Sequence, residues 1–153
     1  MAIVYLGLGS NIGDREENIR EALRKLGARA VVVRHMSSLY QTKPVGGPPQ
    51  GDYINAVVKV ITALAPEQLL GEIKGIEFGM GRTTAPRNAP RIIDIDILLC
   101  DELTLKTEGL EIPHPRMHER SFVLKGMAEI APDVVHPVFR KSMRELYEEL
   151  PGS

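Results

Sequence analysis

The stretch "PRIIDIDILL", Pro90 to Leu99, decides the fold and poses the question of function. Ile92, Ile93, Ile95, Ile97, Leu98 and Leu99 are the aliphatic residues of a buried strand, and Asp94 and Asp96 interrupt them. Two positions apart on a pleated chain, the aspartates project from one face, roughly 6 to 7 Å apart along the strand. Holding both ionised beside an apolar layer is costly unless cations compensate. Arg82, Arg87 and Arg91 precede them within one loop-to-strand unit, so fixed positive charge collects beside fixed negative charge. That combination fits a polyphosphate site, with carboxylates holding Mg²⁺ through oxygen and arginines gripping phosphate oxygens. The plainer reading is an edge strand with a solvated acidic face.

Outward from this strand, the order of elements points to a fold. Ile3 to Gly9 reads as a first strand, and Asp14 with Glu17 reads as a capping box opening a helix whose Ile19, Leu23 and Leu26 share a face. "RAVVVRHMSSLYQT" reads as a second strand and "YINAVVKVITAL" as a long third one. Pro66 opens a second helix with Leu69, Leu70, Ile73 and Ile76 at helical spacing. The Asp-bearing strand comes fourth. The sum, β-α-β-β-α-β, is the ferredoxin-like α+β arrangement: an open antiparallel sheet with helices on one face. "RSFVLKGMAEIAP" and "SMRELYEELP" add two C-terminal helices. Two segments rich in Gly and Pro, Gln41 to Asp52 and Gly79 to Arg91, read as loops, and composition leaves open whether they are mobile covers or long connectors.

At 153 residues, the chain fits a single domain, residues 1–153, with one core and no need of disulfides. A net charge of −1 and 43% apolar residues argue against a disordered tail and against attachment to nucleic acid by bulk positive charge. Cys100 stands alone and no zinc-spaced Cys/His quartet occurs, so a reducing cytoplasm is the expected location. "MAIVYLGLGS" is apolar but lacks a basic flank, and reads as a strand rather than a signal peptide or membrane span.

"GLGSNIGD" invites a nucleotide reading and fails it. Ile12 occupies the third glycine position of the dinucleotide fingerprint, and no Gly-Lys-Ser/Thr follows, leaving a strand-to-helix turn whose backbone could meet an anion. In "IPHPRMHERSF", His114 is locked between Pro113 and Pro115 and is the better candidate for a positioned phosphate donor; His118 reads equally as a structural residue. Tyr53 and Asn55 point one way from the third strand, with Ile54, Ala56 and Val58 pointing the other. An aromatic beside an amide suits a planar ring with alternating donors and acceptors, and a local bond from Asn55 to the backbone is the competing explanation.

Taken together, "GSNIGD", "YQTKPVG", "DYINAVV", "RNAPRIIDIDILL" and "PHPRMHERSFVL", in this order across nearly the whole chain, resemble the hydroxymethyldihydropterin pyrophosphokinase family of folate biosynthesis. The resemblance implies transfer of diphosphate from ATP to the hydroxymethyl group of a reduced pterin, with release of AMP. It implies that Asp94 and Asp96 bind two Mg²⁺ ions arriving with ATP. Arg82 and Arg91 would then stabilise charge on the moving phosphates. Glu77, Arg87, His114 and Arg120 would complete the ATP site, and Thr42, Val45, Tyr53, Asn55 and Phe122 would enclose the pterin. The implied partners are these two substrates, with no nucleic acid or membrane, and the expected state is a monomer. The chain departs from many members where Asn88 and Ala89 precede Pro90, and at Thr83, Thr84, Gly109 and Pro115. A ferredoxin-like RNA-binding module would want sheet aromatics and a basic face, against 5% aromatics and no Trp here. A purely regulatory binding domain leaves the acid pair unexplained, and a nucleotidyl transferase could use the same acid pair to move AMP instead.

Overall fold

The computed structural model describes residues 1–44, 50–81 and 92–151. The strands are β1 (Ala2–Ser10), β2 (Val31–Met36), β3 (Tyr40–Thr42), β4 (Tyr53–Thr62), β5 (Asp94–Cys100), β6 (Leu105–Lys106) and β7 (Glu111–Ile112). The helices are α1 (Arg15–Gly27), α2 (Pro66–Gly79), α3 (Ser121–Ile130) and α4 (Met143–Glu148), with a 3₁₀ turn at Met117–Glu119. Among the described residues the main sheet runs β2-β4-β1-β5, every pairing antiparallel, with β3 also on β4. This is the expected ferredoxin-like order, and β6 with β7 adds a small hairpin.

Helical periodicity puts Ile19, Ala22 and Leu26 of α1, and Leu69, Ile73 and Ile76 of α2, onto Val4, Leu6, Leu8, Val58, Val60, Ile95 and Ile97. The two helices of the βαββαβ core occupy this face as expected, and the added α3 and α4 cover part of the other, where Val123, Leu124, Met127, Met143 and Leu146 meet Tyr5, Val57, Leu98 and Leu99. A bulge explains why Leu98 and Leu99, adjacent in sequence, serve the same core. The β1–β5 register passes from Tyr5↔Leu99 to Leu6↔Ile97, and the extra residue resets the alternation.

Three local expectations change. The segment read as one strand from Arg29 to Thr42 is two, because the Ser37 hydroxyl accepts the Val57 N–H at 2.9 Å and takes over a ladder position between β2 and β3. Gly79, placed in a loop, closes α2. At α1, Asp14 caps the Glu17 N–H at 3.1 Å, but the Glu17 carboxylate pairs with Arg24 at 2.6 Å instead of completing a box. Among the described residues, no helix is long and apolar enough to cross a membrane.

Candidate active site

Antiparallel register builds the floor of the site. Gly9 lies opposite both Asn55 and Asp94, and Gly7 lies opposite Val57 and Asp96, so β4, β1 and β5 present Asn55, two glycines and two aspartates on one face. Glycine is a poor strand residue. Its use at i and i+2 leaves open space above the sheet. A Cβ on Gly9 would stand 2.8 Å from Asn55 Oδ1 and 3.3 Å from Tyr53 Cδ1, distances that permit none. Sequence reasoning rejected "GLGSNIGD" as a nucleotide loop, read it as a strand-to-helix turn and missed this role, for which the signal was Gly-x-Gly inside a strand.

Over this floor lies a cavity of about 560 Å³. One side carries Thr42, Tyr53 and Asn55, and α3 supplies Phe122 and Val123. Asp94, Asp96 and Arg120 stand on the remaining side, and Lys43, Arg116 and Glu119 also reach the lining. Asn55 is 5% exposed and donates to Thr42 Oγ1 at 2.6 Å, a bond that fixes which way its amide faces. The structure thus gathers Thr42, Tyr53, Asn55, Phe122, Asp94, Asp96 and Arg120 around one space. Val45, Arg82, Arg87 and Arg91 lie outside the described residues, as does most of the segment expected to close over the site.

The acid end is electrostatically loaded. Burial, and then the adjacent Asp94 carboxylate, push Asp96 up to about 7, with Glu77 acting in the same direction and Arg120 opposing. Arg120 Nη1 approaches Asp96 Oδ2 at 3.4 Å. Glu77, 4% exposed, sits at the open edge of β5, where its carboxylate accepts the Ile95 N–H at 2.9 Å. Among the described residues no three His, Cys, Asp or Glu side chains form a cage for an ion. Two hard oxygen donors without a cage fit a cation that takes its other ligands from water and phosphate, as Mg²⁺ does.

His114 lines a second cavity, of about 410 Å³, together with Pro113, Pro115 and His118. Its Nδ1 accepts the Arg116 N–H at 3.1 Å, which leaves the proton of the neutral ring on Nε2 as a donor. Burial, and then Arg120, depress its pKa to about 4. Between about 4 and 6.5 the unfolded chain therefore binds the proton that the folded chain refuses, so this contribution is complete above pH 6.5 and lost as pH falls to 4. His114→Gln should flatten the dependence of urea unfolding free energy on pH across that window, and an unaltered slope would refute the burial of a neutral ring. His118 packs edge-on against Phe139, ring centroids 4.6 Å apart.

The turn "GSNIGD" also has a role in this geometry. Asn18 donates to Ser10 Oγ at 3.1 Å, while Asn11 donates to the Gly51 carbonyl at 3.3 Å and Arg15 to the Asp52 carbonyl at 2.8 Å. Asn11 and Arg15 thereby tie the turn to the segment entering β4, while Ser10 and Asp14 bond to the start of α1.

Fold and site define a class: a ferredoxin-like α+β chain whose paired strand carboxylates border a cleft lined by a buried amide and two aromatic side chains. The family model described as 7,8-dihydro-6-hydroxymethylpterin-pyrophosphokinase matches residues 5–132. The chain is 42% identical over 149 residues to the 2-amino-4-hydroxy-6-hydroxymethyldihydropteridine pyrophosphokinase of Aquifex aeolicus, covering 97% of this chain and 92% of that one. With the enzyme of the same description from Bacillus subtilis the identity is 47% over 133 residues, covering 86% and 80%. The folic acid synthesis protein of Pneumocystis carinii is 43% identical over 147 residues, and there the chain spans 96% of itself but 20% of the relative. In fold, it superposes on the wild-type Plasmodium falciparum HPPK-DHPS crystallised with pteroate, with a TM-score of 0.77, 19% identity, and coverage of 97% of this chain and 42% of that one. The chain belongs to the 7,8-dihydro-6-hydroxymethylpterin-pyrophosphokinase family, the pyrophosphokinases of folate synthesis.

Proposed function

We propose that the cavity over Gly7 and Gly9 is where this chain transfers diphosphate from ATP to 6-hydroxymethyl-7,8-dihydropterin, and that the reaction depends on Mg²⁺ held by Asp94 and Asp96. The observation that carries the reading is the shared floor: a buried amide for a ring edge and a pair of carboxylates for a metal stand on one sheet face, separated by glycines. The Asn55 amide, oriented by Thr42, pairs with the polar edge of the pterin, and Tyr53 and Phe122 supply aromatic surface for its faces. Val45 joins this proposal only as a residue that the sequence resemblance implies for the pterin. This seating directs the hydroxymethyl group toward the aspartates and holds it there as nucleophile.

When bound, Mg²⁺ supplies charge neutralisation on the triphosphate and polarises the phosphorus under attack. Asp94 and Asp96 hold the two ions, and Arg120 neutralises phosphate oxygens once ATP competes for its contact with Asp96. His114, whose Nδ1 is occupied by the Arg116 N–H, would offer its Nε2 proton to a phosphate oxygen. Arg82 and Arg91 meet charge that develops as AMP leaves, with Arg87 and Glu77 on the nucleotide side. The hydroxymethyl oxygen bonds to the β-phosphorus, the bond from that phosphorus to the AMP oxygen breaks, and the hydroxyl proton passes to solvent. A monomer in the cytoplasm completes the reading. The test is metal removal: protein treated with chelator should show no turnover of ATP with reduced pterin, and added Mg²⁺ should restore it. Full turnover under chelation would exclude the metal role of the aspartates.

A further inference from the structure

Glu129 lies outside the cavity, at the exposed C-terminal end of α3, yet its carboxylate is heavily engaged. Both oxygens accept the Ser38 N–H at 3.0 Å, Oε2 also accepts the Ser38 hydroxyl at 3.0 Å, and Oε1 accepts the Tyr40 hydroxyl. Burial works against the ionised form, but the bonds from Tyr40 and Ser38 outweigh it and hold the carboxyl below its ordinary range. One turn earlier, Lys125 Nζ stands 5.0 Å from the centroid of the Tyr40 ring. Beside it, Gly126 lets α3 touch the sheet, since a Cβ there would fall 2.5 Å from Val57 Cγ2. A turn earlier again, Phe122 enters the cavity.

Three successive turns of one helix thus carry a wall of the cavity, a close contact with β4, and a clamp on the start of β3. Tyr40 opens β3 and Thr42 ends it, and Thr42 orients the Asn55 amide. We propose that Glu129 is a positioning residue for the pterin: clamping Ser38 and Tyr40, it fixes Thr42 and Asn55 against Phe122 and so sets the width of the slot. The inference rests on the pterin reading of the cavity. The clamp is exposed, so its loss costs the fold little. Misplacing Asn55 by a fraction of an ångström costs ligand affinity more.

The test is fluorescence titration of the full chain with 6-hydroxymethylpterin, beside titration with a non-hydrolysable ATP analogue plus Mg²⁺ and steady-state kinetics. Glu129→Ala should weaken pterin binding about tenfold or more. KM for the pterin should rise more than kcat falls, with ATP-analogue affinity in the absence of pterin unchanged. Glu129→Gln, which keeps an acceptor oxygen, should recover most of the loss. Tyr40→Phe, which keeps the ring and loses one donor, should show a smaller loss in the same direction. Should Glu129→Ala fail to fold, Tyr40→Phe carries the test, and wild-type pterin affinity in that variant would overturn the proposal. So would unchanged pterin affinity in folded Glu129→Ala, or equal weakening of both ligands. Failure of the wild-type chain itself to bind the pterin would instead remove the reading of the cavity on which the inference stands.

Discussion

Asp96→Asn, and separately Asp94→Asn, should yield folded proteins in which turnover falls by roughly a thousandfold or more, the range lost when a main electrostatic contribution to charge in the transition state is removed. The amide keeps the shape of the carboxylate and loses the charge that would hold a cation. Stability should move the other way. Burial and the Asp94 carboxylate both disfavour ionised Asp96 in the empty protein, so the neutral isostere should unfold at the same temperature or higher. Thermal melts with steady-state rates at modest Mg²⁺ check both parts. Wild-type rates in either variant would show that the strand acids are only a solvated edge.

The second large effect belongs to a residue that carries no side chain. Gly9→Ala adds a methyl group 2.8 Å from Asn55 Oδ1 and 3.3 Å from Tyr53 Cδ1. Asn55 cannot yield cheaply, because it is buried and bonded to Thr42 at 2.6 Å. The methyl group should displace the amide that reads the ring edge, lowering pterin affinity by roughly ten- to a hundredfold, while an ATP analogue with Mg²⁺ still binds. Gly7→Ala is the control, since its methyl would meet Leu98 at an ordinary 3.7 Å and should cost the pterin far less. Equal pterin affinity in wild type and Gly9→Ala would mean that the floor beneath Asn55 is not where the ring sits.

Legibility in the sequence followed the range of the interactions. Period-two alternation is local, so the shared faces of Asp94 with Asp96 and of Tyr53 with Asn55 were readable from "IIDIDILL" and "DYINAVV", and the βαββαβ order followed from strand and helix spacing. Pairing partners are not local. That Gly9 faces both Asn55 and Asp94 depends on the registers of two ladders, and a glycine in a strand signals close approach without saying to what. The same holds for the Ser37 hydroxyl that splits the second strand, and for Glu129, whose partners Ser38 and Tyr40 lie about ninety residues away. Glu77 entered the sequence reading only through family resemblance, because the Ile95 N–H that it accepts belongs to a strand brought to it only by the assembled sheet.

The central claim is that the acid pair and the ring cleft act together to move diphosphate, and the products of one reaction test it. Purified protein would be incubated with ATP, Mg²⁺ and 6-hydroxymethyl-7,8-dihydropterin, and the mixture resolved by mass spectrometry. The account predicts free AMP and pterin diphosphate in equal amounts, both absent when the pterin is withheld. Free pyrophosphate with an adenylylated pterin would contradict it, since the same carboxylates would then be serving attack at the α-phosphorus.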